Sequence, residues 1–390
     1  MTTFVRKRIC IAALLVAMSV GLHPSLAEQP SHDSGKAVAA ALQPFVDSHS
    51  LAGAVTLVAE KDKIISLEAV GFADIAAKKP MRTDMMFWIA SQSKPITAAA
   101  LMMLVDEGKL RLDDPVAKYL PEFKDLWLVT EKDKDHLLLT KPKHPITVRN
   151  ILSHTSGMPF SSAMEQPTLD GLRLADAVRS YAMTPLQFEP DAKYMYSNAG
   201  INTAGRIIEV VSGLAYEEFL YKRLFEPLGM KDTTFWPDEK QLKRLAKSYK
   251  PNADKTGLEE TQISQLKYPL NDRMRQPMPA GGLFSTATDV SRFCQMMLNR
   301  GVYQGNRLLS EDAVKQMTTK QTGDAVKENY GLGFSIGGTT YGHGGAFATN
   351  MTVDSKRGLI TVFMVQHAGF AGDGAKSHGA FQKAVNELAQ

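Results

Sequence analysis

Cysteine is almost absent from this chain, with two in 390 residues, Cys10 and Cys294. Cys10 lies in an apolar run from Ile9 to about Leu22, preceded by Arg6, Lys7 and Arg8 and followed by the small residues of Ser25-Leu26-Ala27. This order reads as a secretory signal peptide spanning residues 1–27, cleaved after Ala27. The competing reading, an uncleaved anchor, is disfavoured because the run falls short of the roughly 20 residues a membrane span needs. The mature protein is therefore expected to be periplasmic or secreted, with no stable membrane span once the signal is removed. Cys294 is then its only cysteine, which excludes an intramolecular disulfide. Its setting in "DVSRFCQMML" suggests a buried structural thiol.

Other absences exclude whole classes of function. There is no His-Glu-x-x-His or Cys-x-x-Cys, and the nine histidines are scattered, so no metal site is expected. No Gly-x-Gly-x-x-Gly follows a strand, since "GLGFSIGG" has the wrong spacing, and cofactor-free chemistry is the expectation. There is no long basic block. Removing residues 1–27 takes away three basic and no acidic residues, so the formal charge falls from +4 to +1, which gives no support for nucleic-acid binding. No repeat and no low-complexity tract is visible.

What is present reads as one large domain or two interleaved ones. "AGAVTLVAEKDKIISLEAVGFAD" is a pair of strand-like runs around the polar turn Lys61-Asp62-Lys63. Near the other end "YGLGFSIGG", "TNMTVDSK" and "GLITVFMVQ" read as strands, and residues 374–389 as a closing helix. Helical patterns dominate between, at 94–108, 147–154, 171–182, 199–212, 215–227, 286–300 and 310–318. Strands at both ends imply that the termini meet in one mostly antiparallel sheet flanked by helices, an α/β (α+β) architecture with a mostly helical lobe inserted. The polar stretches 122–143 and 237–262 read as surface loops.

"IASQSKPITAAALMMLV", residues 89–105, places a lysine three positions after a serine where a polar loop becomes an apolar helix. Ile96, Ala100, Met103 and Leu104 share one helical face. Ser91 and Ser93 suit a helix entry and Pro95 its first turn, so the helix is expected to begin near Ser91. Ser91 and Lys94 would then be neighbours about 5–6 Å apart at Cβ. A lone Ser-x-x-Lys is ordinarily a capping serine and a solvated lysine, and Ser264 to Lys267 repeats the spacing in a polar stretch. Farther along, Tyr196-Ser197-Asn198 precedes a helix and His343-Gly344-Gly345 sits beside an expected strand.

Ser-x-x-Lys, Tyr-x-Asn and Lys/His-x-Gly, in that order, resemble the three motifs of the serine β-lactamase and penicillin-binding-protein-like superfamily. The likeness is to its class C branch, which includes DD-peptidases, D-aminopeptidases and family VIII-type carboxylesterases. "LVDEGKLRLDDPVAKYLPEF", "ITVRNILSHTSGMP" and "AGGLFSTATDVSRFCQMML" look like its connecting signatures, and the likeness runs from about residue 36 to about 385. It implies a β-lactamase/transpeptidase-like hydrolase domain over residues 28–390, with Ser91 as the nucleophile that forms an acyl-enzyme. Lys94 and Tyr196 would shuttle protons, Asn198 would bond Lys94 or the substrate carbonyl, and the N–H groups of Ser91 and Ala346 would form the oxyanion hole. Gly344 and Gly345 would leave room for substrate.

A serine hydroxyl needs a base. Lys94 serves if burial lowers its pKa; alternatively its charge holds Tyr196 partly ionised. Bringing a tyrosine from about 10 to about 7 takes roughly 4 kcal/mol, which one ammonium at about 4 Å supplies at an effective dielectric near 20. Tyr194 is the better core tyrosine, since no asparagine stands two places on. Position favours His343 over two decoys: Lys255-Thr256-Gly257 lacks a strand pattern, and His367 follows a strand where the motif should open one. A histidine at the third motif carries no fixed charge above about pH 6.5. It fits esters first, peptides or amides next and β-lactams last. Acyl transfer in place of hydrolysis, and a non-catalytic binding protein that keeps the fold, stand as rivals.

Overall fold

The structure is a computed structural model that describes residues 36–388 together with Met1 and Thr2; residues 3–27 of the expected signal peptide lie outside the described residues. Gly53–Ala59 (β1) and Ile64–Asp74 (β2) form the hairpin expected around Lys61-Asp62-Lys63, with Lys79–Pro80 (β3) beside it. Ser335–Gly337 (β4), Thr340–Gly344 (β5), Asn350–Asp354 (β6) and Leu359–Met364 (β7) come from the other end of the chain. They join in one seven-stranded sheet of order β4-β5-β6-β7-β1-β2-β3, each neighbouring pair antiparallel. The chain ends thus meet where β1 pairs with β7, Val55 opposite Met364 and Leu57 opposite Val362.

Both central strands are buried on both faces, which explains their unbroken apolar runs. The pleat sends alternate residues to two different cores. Val55, Leu57, Ile360 and Val362 enter the main core; Ala54, Val58, Leu359 and Phe363 enter a smaller one. The elements around these cores include the helices Lys36–Asp47 (α1), Ser93–Asp106 (α2), Asn198–Ser212 (α3), Ala287–Leu298 (α4) and Ser377–Leu388 (α5). The smaller core lies under α1 and α5, through Val38, Leu42, Phe381 and Val385. Helix α4 covers the opposite face with Phe293, Cys294 and Met297. The Cys294 thiol is buried 3.7 Å from the Met351 sulfur, and burial pushes its pKa up to about 12.

Three expectations need correction. Helix α1 precedes the first strand, where no element was read. The polar stretches are not bare loops. Residues 128–132 pair with 137–140, and Ser248–Pro251 with Leu258–Thr261, each as a two-stranded ribbon. Their strands are only four or five residues long and bury only Leu128, Ser248 and Tyr249, so they leave little period-2 signal in the sequence. "YGLGFSIGG" is strand only at Ser335–Gly337. Gly333 there has φ +78°, and a Cβ would meet the Lys94 carbonyl at 3.0 Å and the Ala98 Cβ at 2.8 Å. This segment is bent so that it can lie directly on the start of α2.

Helix α2 differs from its reading as a one-faced amphipathic helix. Every residue from Ser93 to Leu104 is buried. A helix buried all round sits inside the core, and Lys94 is carried into the core with it.

Candidate active site

The helix begins two residues later than expected. Ser91 lies in a 3-10 turn, Ala90–Gln92, that leads into α2, and Ser91 and Lys94 still face each other across the junction. Ala90 takes the left-handed conformation at φ +46°, a geometry that costs a non-glycine residue about 1–2 kcal/mol. The Lys94 Nζ stands 3.1 Å from Ser91 Oγ, 2.7 Å from Asn198 Oδ1 and 2.7 Å from the Ala280 carbonyl oxygen. Asn198 therefore bonds the lysine head, one of its two expected roles.

Among the described residues no carboxylate is hydrogen-bonded to Lys94, and burial holds its pKa well below the usual lysine value. A neutral amine has two hydrogens and one lone pair. The Ala280 carbonyl can only accept, and Asn198 accepts through its Oδ1, so these two take the hydrogens. The lone pair is left for the Ser91 hydroxyl.

Tyr196 lies beside this pair, its ring centroid 4.6 Å from Lys94 Nζ, and shares the cavity with Ser91. Burial pushes its pKa up, and the neighbouring Ser91 hydroxyl only partly opposes this. Burial disfavours the charged form of both groups, so of the two proton-acceptor schemes the neutral Lys94 with a protonated Tyr196 is the one this site favours.

His343 is buried in β5, behind Tyr196, and is not a surface histidine. Its Nδ1 is 2.6 Å from the Gly344 carbonyl oxygen, which can only accept, so Nδ1 carries the hydrogen. Nε2 then accepts from the Tyr330 hydroxyl at 3.0 Å and faces the Tyr196 hydroxyl at 3.5 Å. Burial above all lowers its pKa to about 3, so it is neutral at any ordinary pH. His154 was not singled out from "ILSHTSGMP". It closes the helix Val148–Ser153 in a left-handed conformation and packs between Tyr196 and Tyr330, with ring centroids 4.6 and 4.7 Å away. Its φ of +62° is the kind of local signal that a helix end followed by Ser-Gly could have raised. Tyr194, expected in the core, is only partly buried and packs edge-on against His154.

Ser91, Tyr196, Asn198 and Ala346 line one cavity of about 270 Å³, with Trp88, Ala90, Phe160, Gln265, Met278, Ala280 and Gly281 as its other walls. None of these lining side chains carries a fixed charge. Ser91 and Ala346, the two residues expected to supply the oxyanion hole, are thus brought to one space. His343 and Gly345 are not among the lining residues. The expectation that Gly345 leaves room for substrate is corrected: a Cβ there would lie 2.6 Å from the Ile89 carbonyl oxygen and 2.2 Å from Thr349 Oγ1. Gly345 lets the end of β5 press against the backbone two residues before Ser91. Gly345→Ala is expected to shift that backbone and lower kcat/KM by about 10²-fold, measured on an ester substrate beside a thermal melt.

The decoys lie elsewhere. Ser264 and Lys267 are exposed in a turn, and Lys255-Thr256-Gly257 belongs to the tip of a surface ribbon. His367 is buried, stacks on Phe370 and accepts the Ala52 N–H at 3.1 Å, a structural role. Among the described residues no cluster of metal-binding side chains is found, and no helix is long and apolar enough to cross a membrane.

Comparison with known proteins identifies the family. Protein Rv1367c of Mycobacterium tuberculosis is 29% identical over 367 residues, covering 84% of this chain and 89% of that protein. A putative D-alanyl-D-alanine carboxypeptidase of Escherichia coli is 27% identical over 344 residues, covering 79% of this chain and 76% of that one. The structure of EstCE1, described as a hydrolase with promiscuous acyltransferase activity, superposes with a TM-score of 0.75 at 24% identity, covering 90% of this chain and 97% of that one. The Beta-lactamase family matches residues 38–384, so with the sheet built from both chain ends, this chain belongs to the Beta-lactamase family of serine hydrolases.

Proposed function

We propose that this protein is an exported hydrolase of uncharged carboxylic esters that works through an acyl-enzyme on Ser91. The observation that carries the ester reading is the cavity beside Ser91, walled by Trp88, Phe160 and Met278 and lined by no charged side chain. A peptide ending in D-alanine or a β-lactam brings a carboxylate that would be desolvated there without a cation to meet it, and the neutral His343 behind Tyr196 supplies none. The name of the Escherichia coli relative favours a carboxypeptidase as the second reading. Export is supported by the leader-like residues 1–27.

In this scheme Lys94 takes the Ser91 proton as Oγ bonds to the acyl carbon, and the carbonyl oxygen becomes an oxyanion held by the Ser91 and Ala346 N–H groups. The C–O bond to the alcohol then breaks, with a proton passed to the leaving oxygen through Tyr196 from the Lys94 ammonium. Water enters in the alcohol's place, gives up a proton by the same route, and releases the acid. An alcohol in the water's place would give acyl transfer, an activity for which EstCE1 is described as promiscuous.

The test is hydrolysis of p-nitrophenyl acetate and butyrate against nitrocefin and a D-alanyl-D-alanine peptide. The esters are expected to turn over with kcat/KM at least about 10²-fold above the other two, and Ser91→Ala to lose about 10⁶-fold in kcat. Faster turnover of the peptide or of nitrocefin would overturn the ester reading. An active Ser91→Ala protein would overturn the nucleophile.

A further inference from the structure

One of the two acceptors that fix Lys94 is itself held by a buried chain of polar groups that does not touch the cavity. Glu165 Oε1 lies 2.6 Å from the Tyr181 hydroxyl. That hydroxyl is 2.9 Å from Asn202 Nδ2, and Asn202 Oδ1 is 3.0 Å from the Ala280 N–H. The Ala280 carbonyl oxygen then receives Lys94 Nζ at 2.7 Å. Glu165, Tyr181 and Asn202 are each at most 2% exposed.

The polarity of this chain is set at both ends. The Ala280 N–H can only donate, so the Asn202 amide must present its oxygen there and its NH₂ toward Tyr181. The Tyr181 oxygen accepts from that NH₂, and its one hydrogen goes to Glu165. Glu165 in turn accepts the Ser162 N–H at 2.8 Å through its other oxygen, so both carboxylate oxygens are engaged. Asn202 stands one helical turn after Asn198 on α3, which puts both neutral acceptors of Lys94 under the control of one helix face: Asn198 directly, Ala280 through Asn202. The Ala280 carbonyl lies between two holds: Asn202 fixes the residue's own N–H, and the Gly281 and Gly282 N–H groups that follow bond the Met278 carbonyl at 3.2 and 2.8 Å.

We infer that Glu165, Tyr181 and Asn202 form a strut that aims the Ala280 carbonyl at Lys94, which makes Tyr181 and Asn202 positioning residues for proton removal from Ser91. The inference rests on the proposed roles of Ser91 and Lys94. Losing the strut frees the Ala280 nitrogen and leaves the Gly281–Met278 bond as the remaining hold, so the carbonyl shifts from Lys94 and the amine's lone pair is no longer fixed on Ser91. None of the three strut side chains lines the cavity, so substrate binding should largely persist.

The experiment compares Tyr181→Phe, Asn202→Ala and Ser180→Ala in the full chain, with kcat and KM on p-nitrophenyl acetate and a thermal melt for each. Ser180 is also buried in the same region, bonding Ser162 Oγ at 2.7 Å and the Ala177 carbonyl at 2.6 Å, and bonds none of Tyr181, Asn202 and Ala280. Tyr181→Phe is expected to lower kcat about tenfold and Asn202→Ala about a hundredfold, with KM within about twofold. Ser180→Ala is expected to lower the melting temperature and leave kcat per folded molecule unchanged. Wild-type kcat in folded Tyr181→Phe and Asn202→Ala, or an equal loss in Ser180→Ala, would overturn the strut. Tyr181→Phe keeps the ring and decides the matter alone if Asn202→Ala does not fold. Ser91→Ala is measured in parallel: activity there would sink the catalytic reading itself, whereas an inactive Ser91→Ala beside fully active strut variants would sink only this inference.

Discussion

Lys94→Met is expected to lower kcat/KM for a p-nitrophenyl ester by about 10⁴-fold, because a general base contributes about 10²–10⁴-fold and the variant also loses the proton source for the leaving alcohol. The same substitution should change how stability depends on pH. An unfolded lysine titrates near 10.4, whereas burial without a carboxylate partner holds folded Lys94 lower. Between the two pKa values the unfolded chain binds the extra proton. Stability therefore rises with pH through that window, and the penalty from Lys94 is full below the window and gone above about 10.4. Removing the amine removes that slope. The absolute offset also contains two hydrogen bonds lost to Asn198 and Ala280, but those do not titrate. The difference in melting temperature between Lys94→Met and the parent is thus expected to move in the parent's favour as pH rises from neutrality toward about 10. A difference independent of pH would mean that folded Lys94 stays a fully satisfied ammonium, and Tyr196 would then become the candidate base.

Asp170→Ala is expected to cost about 3–5 kcal/mol and to lower the melting temperature by roughly 5–10 °C. Asp170 and Arg275 form an ion pair at 2.7 Å with side chains 0% and 1% exposed. The Arg275 guanidinium also donates to the Phe235 and Leu270 carbonyls, while Asp170 accepts the Lys267 N–H at 2.9 Å. Removing one partner leaves a desolvated charge, which is the costly case; replacing both by apolar groups is far milder. Asp170→Leu with Arg275→Met should therefore recover most of the loss. The pair also ties down the loop that carries Gln265 and Met278 to the cavity, and Leu169 bonds the Gln265 carbonyl at 3.0 Å. KM should rise in Asp170→Ala beyond what partial unfolding explains. Calorimetry and ester kinetics on the two proteins would check both parts, and an unchanged melting temperature would show that the pair is dispensable.

Helix and strand periodicities placed most of the larger elements, because a residue's face follows from local backbone geometry. Ser91 and Lys94 were legible for the same reason: three positions on one helix entry bring two side chains together whatever surrounds them. Tyr196, Asn198 and His343 could be picked out only as an ordered set of short motifs. The ribbons at 128–140 and 248–261 were not visible, since strands of four or five residues with at most two buried positions leave little alternation to detect.

The residues of this chain by themselves determined its architecture, a sheet closed from both ends, and which serine and lysine could meet. Only the tertiary structure decided the chemistry around them: that α2 is buried all round and takes Lys94 out of water, that His343 backs Tyr196 and stays neutral, and that Gly345 presses on Ile89 where substrate was expected. It also brought Trp88, Phe160 and Met278 to one cavity and joined Glu165 to Ala280. The physical reason is range. Periodicity records neighbours a few residues apart, whereas desolvation and hydrogen bonding depend on groups more than a hundred residues away, such as Lys94 and the Ala280 carbonyl, 186 positions apart.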